Sequence, residues 1–481
     1  MSSSQKEKFL LGIDVGSTGV KAVLYDTNGG TLAKAEREHP TMHPRPGWAE
    51  QSPSLWWKST KEAVQEILSR VGSSTKYNIA GIGVSGQGPT VLPVDEKGEP
   101  LRPAIIWMDT RGGKQHDPVP KFLWIKQNEP EILQRTHRFL SPNGFINLKL
   151  TGEFTLNITQ APGASFQMPD FLDNSFFPEV RLFSEVIGEV TKEAAQETGL
   201  AEGTPVVAGA DDGFATIIGA GATKTGRAVE YTGLSCVLCI RTDKPYPEVQ
   251  DRGLFLGGMG DFYIISGQMS TGGGLLRWFR DTLGYLEMET AKSLNLNAYQ
   301  IMDLEASSVP PGSDGLVILP YFSGERAPIW NANARGVIFG LYLTHSRAHL
   351  IRAALEAVAY GLRHIIEIAE GAGVRIDELR ATGGGSNSDL WLQIKADVLN
   401  RPIYRISDGA GTLGNAIMAG AGVGVFDDLF SKGEELARVK KVIHPDPERH
   451  KLYTSLYQIY RELYESLKAS FDKLAETQIH E

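Results

Sequence analysis

The sequence predicts an α/β protein made of two duplicated halves. Apolar strand patterns alternate with helical ones along the chain, and a hairpin with a glycine-hydroxyl turn is written twice. At 481 residues the chain also exceeds what one ordinary core holds. The first hairpin is LGIDVGSTGVKAVLYD, Leu11 to Asp26. Phe9 to Ile13 is apolar enough for a buried strand, Asp14 stands at its end, Gly16, Ser17, Thr18 and Gly19 make the turn, and Val20 to Tyr25 returns. Glycines let backbone N–H groups approach an anion, and Ser17 and Thr18 add hydroxyl donors. Asp14 cannot attract a phosphate, so its use beside one is to hold Mg²⁺, or the waters around it, bridging carboxylate and phosphates. An ordinary hairpin whose Asp and Ser cap a turn is the alternative.

Leu55 to Val71 reads as a helix, Ile79 to Ser85 and Pro205 to Ala210 as strands, and His349 to Glu370 as a long helix. AVEYTGLSCVLCI, Ala228 to Ile240, repeats the opening device. TGGGSNS, Thr382 to Ser388, precedes the helix pattern Asp389 to Leu399, which puts its N–H groups at a helix N-terminus. Two such halves facing each other would hold a nucleotide in the cleft between them. The boundary is expected within residues 225 to 250, giving domains 1–245 and 246–481. Leu452 to Leu474 has the pattern of an amphipathic helix, expected to pack on its own domain and, as the alternative, to meet a second copy.

A formal net charge of −9 with no basic stripe argues against nucleic acid as a partner. Met1 to Lys8 lacks an apolar signal core and no run reaches membrane-spanning length, so a cytoplasmic protein is expected. Cys236 and Cys239 lack the further ligands a zinc site needs and read as buried thiols on opposite faces of a strand. His39 with His43 and His345 with His349 have the spacing of a helical metal pair. Pro40 and Pro44 spoil the first, and Ser346 stands where a metalloprotease has its Glu.

GADDGFATIIGAG, Gly209 to Gly221, places two carboxylates directly after an apolar strand and before a small-residue helix. Strand ends of open α/β sheets gather ligands, and a carboxylate there could accept the proton of an attacking hydroxyl. Capping the following helix is the other use of an Asp in this place.

Further motifs stand in order along the chain: RPAIIWMDTR at Arg102 to Arg111, LTGEF at Leu150 to Phe154, FSGERAP at Phe322 to Pro328, then ARGVIFGL and RAALEAVAYGLR, and ATGGGSNSDLWLQIKADVLNRPI at Ala381 to Ile403. With the two hairpins, they resemble the FGGY family of carbohydrate kinases nearly end to end. The resemblance implies two duplicated ribonuclease H-like domains of the actin and hexokinase type with an interdomain cleft. It implies use of ATP and Mg²⁺ to phosphorylate a hydroxyl of a small sugar, ketose, polyol or sugar acid, and a possible homodimer.

Residue by residue, the resemblance makes Asp212 the general base, because its offset from Gly219-Ala220-Gly221 matches and Asp211 lies one residue too far upstream. Asp14 becomes the metal-associated carboxylate, with Gly16, Ser17, Thr18 and Lys21 beside the terminal phosphates. Thr232, Gly233 and Ser235 form a second phosphate loop, with Thr-Gly-Leu where the family usually has Thr-Gly-Thr, and Gly273 approaches the phosphates. Gly384, Gly385 and Asn387 line the adenosine, approached also by Asn415 from LGNAIMAG. Gln87, Trp107, Asp109 and Arg111 join Asp212 around the sugar. Xylulokinases continue their Gly-Gln strand end with Met-His; here Gln87 is followed by Gly88 and Pro89, which suggests a roomier, less polar wall. Each sugar residue also has a bland use: Trp107 as core packing, Asp109 as a turn cap, Arg111 as its ion-pair partner, Gln87 as a backbone partner. Trp48 is expected to be structural rather than catalytic, though Trp48 and Glu50 in GWAEQSP could lie near the cleft. A non-kinase actin-like ATPase and a catalytically silent sugar sensor are the competing functions, the second weakened by the presence of Asp212.

Overall fold

A computed structural model of the chain describes residues 7–112, 117–162, 166–259 and 262–477. His116, whose polar, proline-containing surroundings in the sequence suggest a solvated side chain, lies outside the described residues. The chain divides into two compact units, Met1–Thr223 with Gly409–Arg438, and Lys224–Asp408 with Val439–Glu481.

The first unit is built on a seven-stranded sheet. Its order is Val186–Glu189, Pro205–Val207, Ile79–Gly86, Phe9–Val15, Gly19–Asp26, Thr31–Glu38, with Ala210–Asp211 also pairing Ile79–Gly86. The three central strands, Pro205–Val207, Ile79–Gly86 and Phe9–Val15, run parallel, and the outer pairings are antiparallel. Phe9–Val15 is apolar on both faces and central, as a strand covered on both sides must be. Thr31–Glu38 alternates Ala33 and Ala35 inward with Lys34 and Glu36 outward, the pattern of a charged edge strand. Helix Pro53–Val71 starts on a proline and buries Trp56, Trp57, Ala63, Val64, Ile67 and Leu68 along one stripe.

The sheet of the second unit has the same sequence of pairings. Val439–Ile443 is antiparallel to Ile403–Ile406, which is parallel to Glu378–Thr382, itself parallel to Arg227–Thr232. Cys236–Thr242, Phe262–Met269 and Phe255–Met259 continue antiparallel. The six strands in line in the first sheet have counterparts in the second, which adds Phe255–Met259 at its end and lacks a partner for Ala210–Asp211, so the expected duplication is present in the topology. Helix Pro447–Thr477 buries Tyr453, Tyr457, Tyr460, Tyr464 and Phe471 in its own unit, where the Tyr321 hydroxyl donates to that of Tyr460 at 2.9 Å. Both cysteines are buried free thiols on Cys236–Thr242. Among the described residues no helix is long and apolar enough to cross a membrane.

Two expectations are corrected. The division at residue 245 falls instead after Thr223, because Arg227–Thr232 is an inner strand of the second sheet and carries the whole second hairpin with it. The strand expected over Pro205 to Ala210 is broken at Gly209, whose φ of +71° turns the chain where a Cβ would meet Val84 O at 1.8 Å.

Residues 409–438, expected in the second half, return to the first. Helix Ala410–Gly422 lies backbone to backbone on the first sheet. A Cβ on Gly12 would stand 1.9 Å from Thr412 O, and one on Gly83 2.2 Å from Asn415 O. The same helix crosses Asp212–Gly219 as closely, with a Cβ on Gly414 1.9 Å from Ala215 O and one on Gly219 1.8 Å from Ala410 O. Only hydrogen fits at these four positions, and carbonyls cannot give way as a side-chain end can.

Gly12→Ala and Gly414→Ala are each expected to lose about 3 kcal/mol or more of stability by overpacking. Gly257→Ala, with nothing within 4 Å of its Cβ position, is expected to stay within about 1 kcal/mol of the parent. Urea unfolding midpoints check both, and equal losses at all three sites would contradict the close-approach account.

Candidate active site

Three strand ends of the first unit lie side by side. Asp14 is in register with Ser85, and Ser85 with Ala210, so Asp14, Ser85 and the Ala210–Asp211 strand form a row at the C-terminal ends of the parallel strands. Ser85 Oγ donates to Asp14 Oδ1 at 2.8 Å. Asn415 Nδ2 donates to Ser85 Oγ and to Ile13 O, each at 2.7 Å. Asn415 is therefore buried in the first unit, seating the Asp14 strand. This corrects the expectation that it approaches an adenosine from the second half, and the reason is the return of Ala410–Gly422 to the first sheet.

Asp211 and Asp212 separate in role. Asp211 Oδ1 accepts from Phe214 N at 2.7 Å and caps helix Asp212–Gly219, while its own N–H donates to Thr159 Oγ1 at 2.9 Å. Asp212 is the first helical residue and does not carry the cap. Burial pushes its carboxyl well above the ordinary range, and the nearby charges of Asp14 and Asp211 push it further. Burial also raises Asp14 and Asp211. Lys21, opposite Asp14 in the hairpin, eases that carboxylate only in part, and its ammonium pairs with Glu36 at 3.5 Å.

Among the described residues no three His, Cys, Asp or Glu side chains gather as a metal-holding set. Asp14 has one oxygen held by Ser85, and its Oδ2 lies 3.7 Å from where a Cβ on Gly411 would stand. A single carboxylate in a cradle of glycine fits Mg²⁺, which keeps most of its shell as waters and phosphate oxygens.

The turn of the first hairpin is closed by Gly16 N–H to Gly19 O at 2.9 Å. Thr18 is exposed at its tip. Ser17 is held from the acceptor side: its hydroxyl donates to Gln87 Oε1 at 2.7 Å and accepts from Trp107 Nε1 at 2.8 Å. Gln51 Nε2 donates to Ser17 O at 2.7 Å, and Gln51 Oε1 accepts from Gln87 Nε2 at 2.7 Å and Trp56 Nε1 at 2.9 Å. The structure thus brings Ser17, Gln87 and Trp107 together, but as a closed ring in which their polar atoms serve one another. Gln51, at the centre of that ring, was missed; its sequence signal is only that it stands in GWAEQSP just before helix Pro53–Val71.

Asp109 and Arg111 form a second cluster. Asp109 Oδ2 accepts from Ala49 N at 2.6 Å, and Oδ1 from Arg111 N at 2.8 Å and Nε at 2.9 Å. Arg111 Nη2 reaches Glu50 Oε1 at 2.7 Å, and its guanidinium lies 3.8 Å from the centre of the Trp48 ring. Arg102 shares Glu50. The turn-capping and ion-pairing uses of Asp109 and Arg111 are both realised, and buried Glu50 and half-buried Trp48 belong to the same support.

The wall at Gly88 is filled. A Cβ there would lie 2.8 Å from Gln160 Nε2, so the amide of Gln160 occupies the room that glycine leaves, with its Oε1 accepting from Asn157 Nδ2 at 2.8 Å. The room expected beside Gly88 is thus taken by a polar amide. Gln160 is partly exposed and adjoins Thr159, the partner of Asp211. Nothing in the local sequence connects it with Gly88.

The remaining expected residues lie in the second unit. Gly273 N–H donates to Gly233 O at 2.9 Å, and Gly272 and Gly274 N–H donate to Leu234 O at 2.8 and 2.9 Å. These glycines back the second hairpin turn, which Gly233 N–H closes on Ser235 O at 2.9 Å. The Thr232 hydroxyl is directed inward to Glu230 Oε2 at 2.8 Å. At the third turn Gly384 and Asn387 are exposed and Gly385 partly so. Arg405 Nη2, another residue the sequence did not signal, anchors Asn387 Oδ1 at 2.8 Å.

Family models describing the N- and C-terminal domains of the FGGY family of carbohydrate kinases match residues 9–117 with 112–219, and 231–423. The chain is similar to xylulose kinase of Staphylococcus epidermidis, 30% identical over 96% of this chain and 97% of that one. It is similar to gluconokinase of Bacillus subtilis, 28% identical over 98% of each. Its fold matches that of a ligand-bound xylulose kinase from Lactobacillus acidophilus with a TM-score of 0.84 at 26% identity, covering 97% of this chain and 100% of that one.

A carboxyl held above its unfolded value costs stability once pH exceeds that unfolded value, about 4, and the cost grows until the folded value is passed. Asp212→Asn removes it. The variant is expected to melt higher than the parent at pH 7, with the difference shrinking as pH falls toward about 4. Thermal melts across pH 4 to 8 check this, and a lower melting temperature at pH 7 contradicts it.

Proposed function

Because the chain belongs to the FGGY family of carbohydrate kinases, we propose that it transfers the γ-phosphoryl group of ATP to a hydroxyl of a small sugar, polyol or sugar acid, with Asp212 as the base. The observation that carries this reading is the division of labour at the strand end. Asp211 caps the helix, and Asp212 stands beside Asp14 with a raised proton affinity. An ordinary aspartate is a weak base at neutral pH; one held above its usual range is a better one.

In the reaction, the acceptor oxygen forms its bond to the γ-phosphorus as the bond from that phosphorus to the β,γ-bridging oxygen breaks. ADP leaves, and the hydroxyl proton passes to a carboxylate oxygen of Asp212. The first hairpin turn, with Thr18 exposed at its tip, orients the transferred group. Mg²⁺ held at Asp14 supplies charge neutralisation on the phosphate oxygens. Gly384, Gly385 and Asn387 of the second unit carry the adenosine. To Gln160, which stands where Gly88 leaves room, we assign a contact with the acceptor and a part in its selection. Use of ATP and a small metabolite fits a cytoplasmic enzyme.

ADP release from Mg-ATP, measured with and without a panel of pentuloses, hexuloses, heptuloses, polyols and aldonates, tests the function. Stimulation by a panel member is expected; hydrolysis indifferent to every sugar would overturn it. With the stimulating acceptor, Asp212→Asn should lower turnover by at least ~100-fold. Its ATP affinity should stay within about 3-fold of the parent. Retained turnover in that variant would remove Asp212 from the role of base. Gln160→Ala should raise KM for the acceptor about 10-fold, the worth of one good hydrogen bond, and leave KM for ATP unchanged.

A further inference from the structure

The second unit holds a buried ion pair that the chemistry above does not use. Lys395 and Glu230 both have wholly buried side chains, 2.7 Å apart from Nζ to Oε1. Lys395 Nζ also donates to Thr232 Oγ1 at 3.0 Å and lies 4.7 Å from the centre of the Trp391 ring. Thr232 in turn donates to Glu230 Oε2 at 2.8 Å. Cys236 closes the cluster, its thiol pushed up to about 12 by burial and the Glu230 charge. Two of the three ammonium donors are hydrogen-bonded and the charge lies over an aromatic ring, which together make a buried charge tolerable.

The cluster sits where two candidate nucleotide-binding turns meet. Lys395 belongs to helix Asp389–Leu399, which starts directly after the Gly384–Asn387 turn. Thr232 ends the strand that enters the second hairpin turn. The two turns are in contact: a Cβ on Gly385 would stand 2.7 Å from Thr232 Cβ and 3.0 Å from Trp391 Cζ3, and one on Gly383 2.9 Å from Thr232 O. A methyl group is thus too thick for the seam, and the Lys395–Glu230 pair is buried beneath it.

We propose that Lys395 is a positioning residue for the nucleotide, tying the helix that leaves the adenosine turn to the hairpin turn at Thr232 and so setting the phosphate-side backbone against the adenosine-side one. The proposal rests on the kinase reading above. It gives the Thr232 hydroxyl an internal duty, so that the turn acts on phosphates through its placement. An isolated adenosine uses one of the two turns; ATP and ADP use both.

The test is calorimetric titration of ATP, ADP and adenosine into the parent, Lys395→Met, and the double variant Glu230→Gln with Lys395→Met. The double variant has no unpaired buried charge, keeps an amide beside Thr232, and remains informative if the single variant fails to fold. Expected is a loss of ATP and ADP affinity of about 10-fold in each folded variant, with adenosine affinity within about 2-fold of the parent. Parent-like ATP affinity in the folded double variant overturns the proposal. An equal loss for adenosine and ATP also overturns it, because general loosening of the unit would produce that. A parent that binds no ATP overturns the kinase reading itself, whereas a parent that binds ATP beside unaffected variants overturns only the role of Lys395.

Discussion

The first unit depends on backbone lying directly on backbone. Helix Ala410–Gly422 approaches the sheet at Gly12 and Gly83 and crosses helix Asp212–Gly219 at Gly219 and Gly414, all at distances that exclude a single methyl group. Interiors packed at crystal density transmit such constraints without slack. The helix carries Asn415 to the underside of Asp14, and its crossing fixes the helix whose first residue is Asp212. The spacing of the two carboxylates is thereby set by main-chain contact, which has no rotamers to relax into.

The two hairpins, alike in sequence and topology, anchor their turns with different chemistry. In the first, the Ser17 hydroxyl is held by a neutral ring of Gln87, Gln51 and Trp107. In the second, the Thr232 hydroxyl is held by an ion pair. A neutral ring can open and close at the modest net cost of hydrogen bonds exchanged with water; a buried ion pair opened on one side leaves a charge uncompensated. Duplication has preserved the turn and not the means of holding it.

Much of this was legible in the sequence. The strand and turn pattern of Leu11 to Asp26, its repeat at Ala228, and the capped helix after Thr382 are local signals, and the structure has them where the pattern puts them. Of the two carboxylates in that turn, the helix cap expected of an Asp in this place is made by Asp211. What was not legible is long-range. The return of Gly409–Arg438 is written only as small residues in LGNAIMAG, which look the same whether they meet one sheet or the other. The filling of Gly88 by Gln160 depends on a residue with no sequence neighbour in the loop. The inward commitment of Gln87, Asp109 and Arg111 depends on partners at Gln51, Ala49 and Glu50, which carry no recognisable motif of their own.

The discontinuous course of the first unit governs when it can exist. As the chain is synthesised, residues 1–223 emerge with the strand of Asp14 and the carboxylate of Asp212 in place, but the helix that seats them follows only after the stretch to Asp408. At ribosomal rates of about 5–20 residues per second, this interval lasts roughly 10–40 s. During it the glycine faces of Gly12 and Gly83 are an open groove in the nascent chain. The second unit's sheet, all but its last strand, is already out by then. The segment that bears Asp14 and Asp212 is thus the earlier made and the later completed, and no nascent chain short of that helix has these carboxylates locked in place.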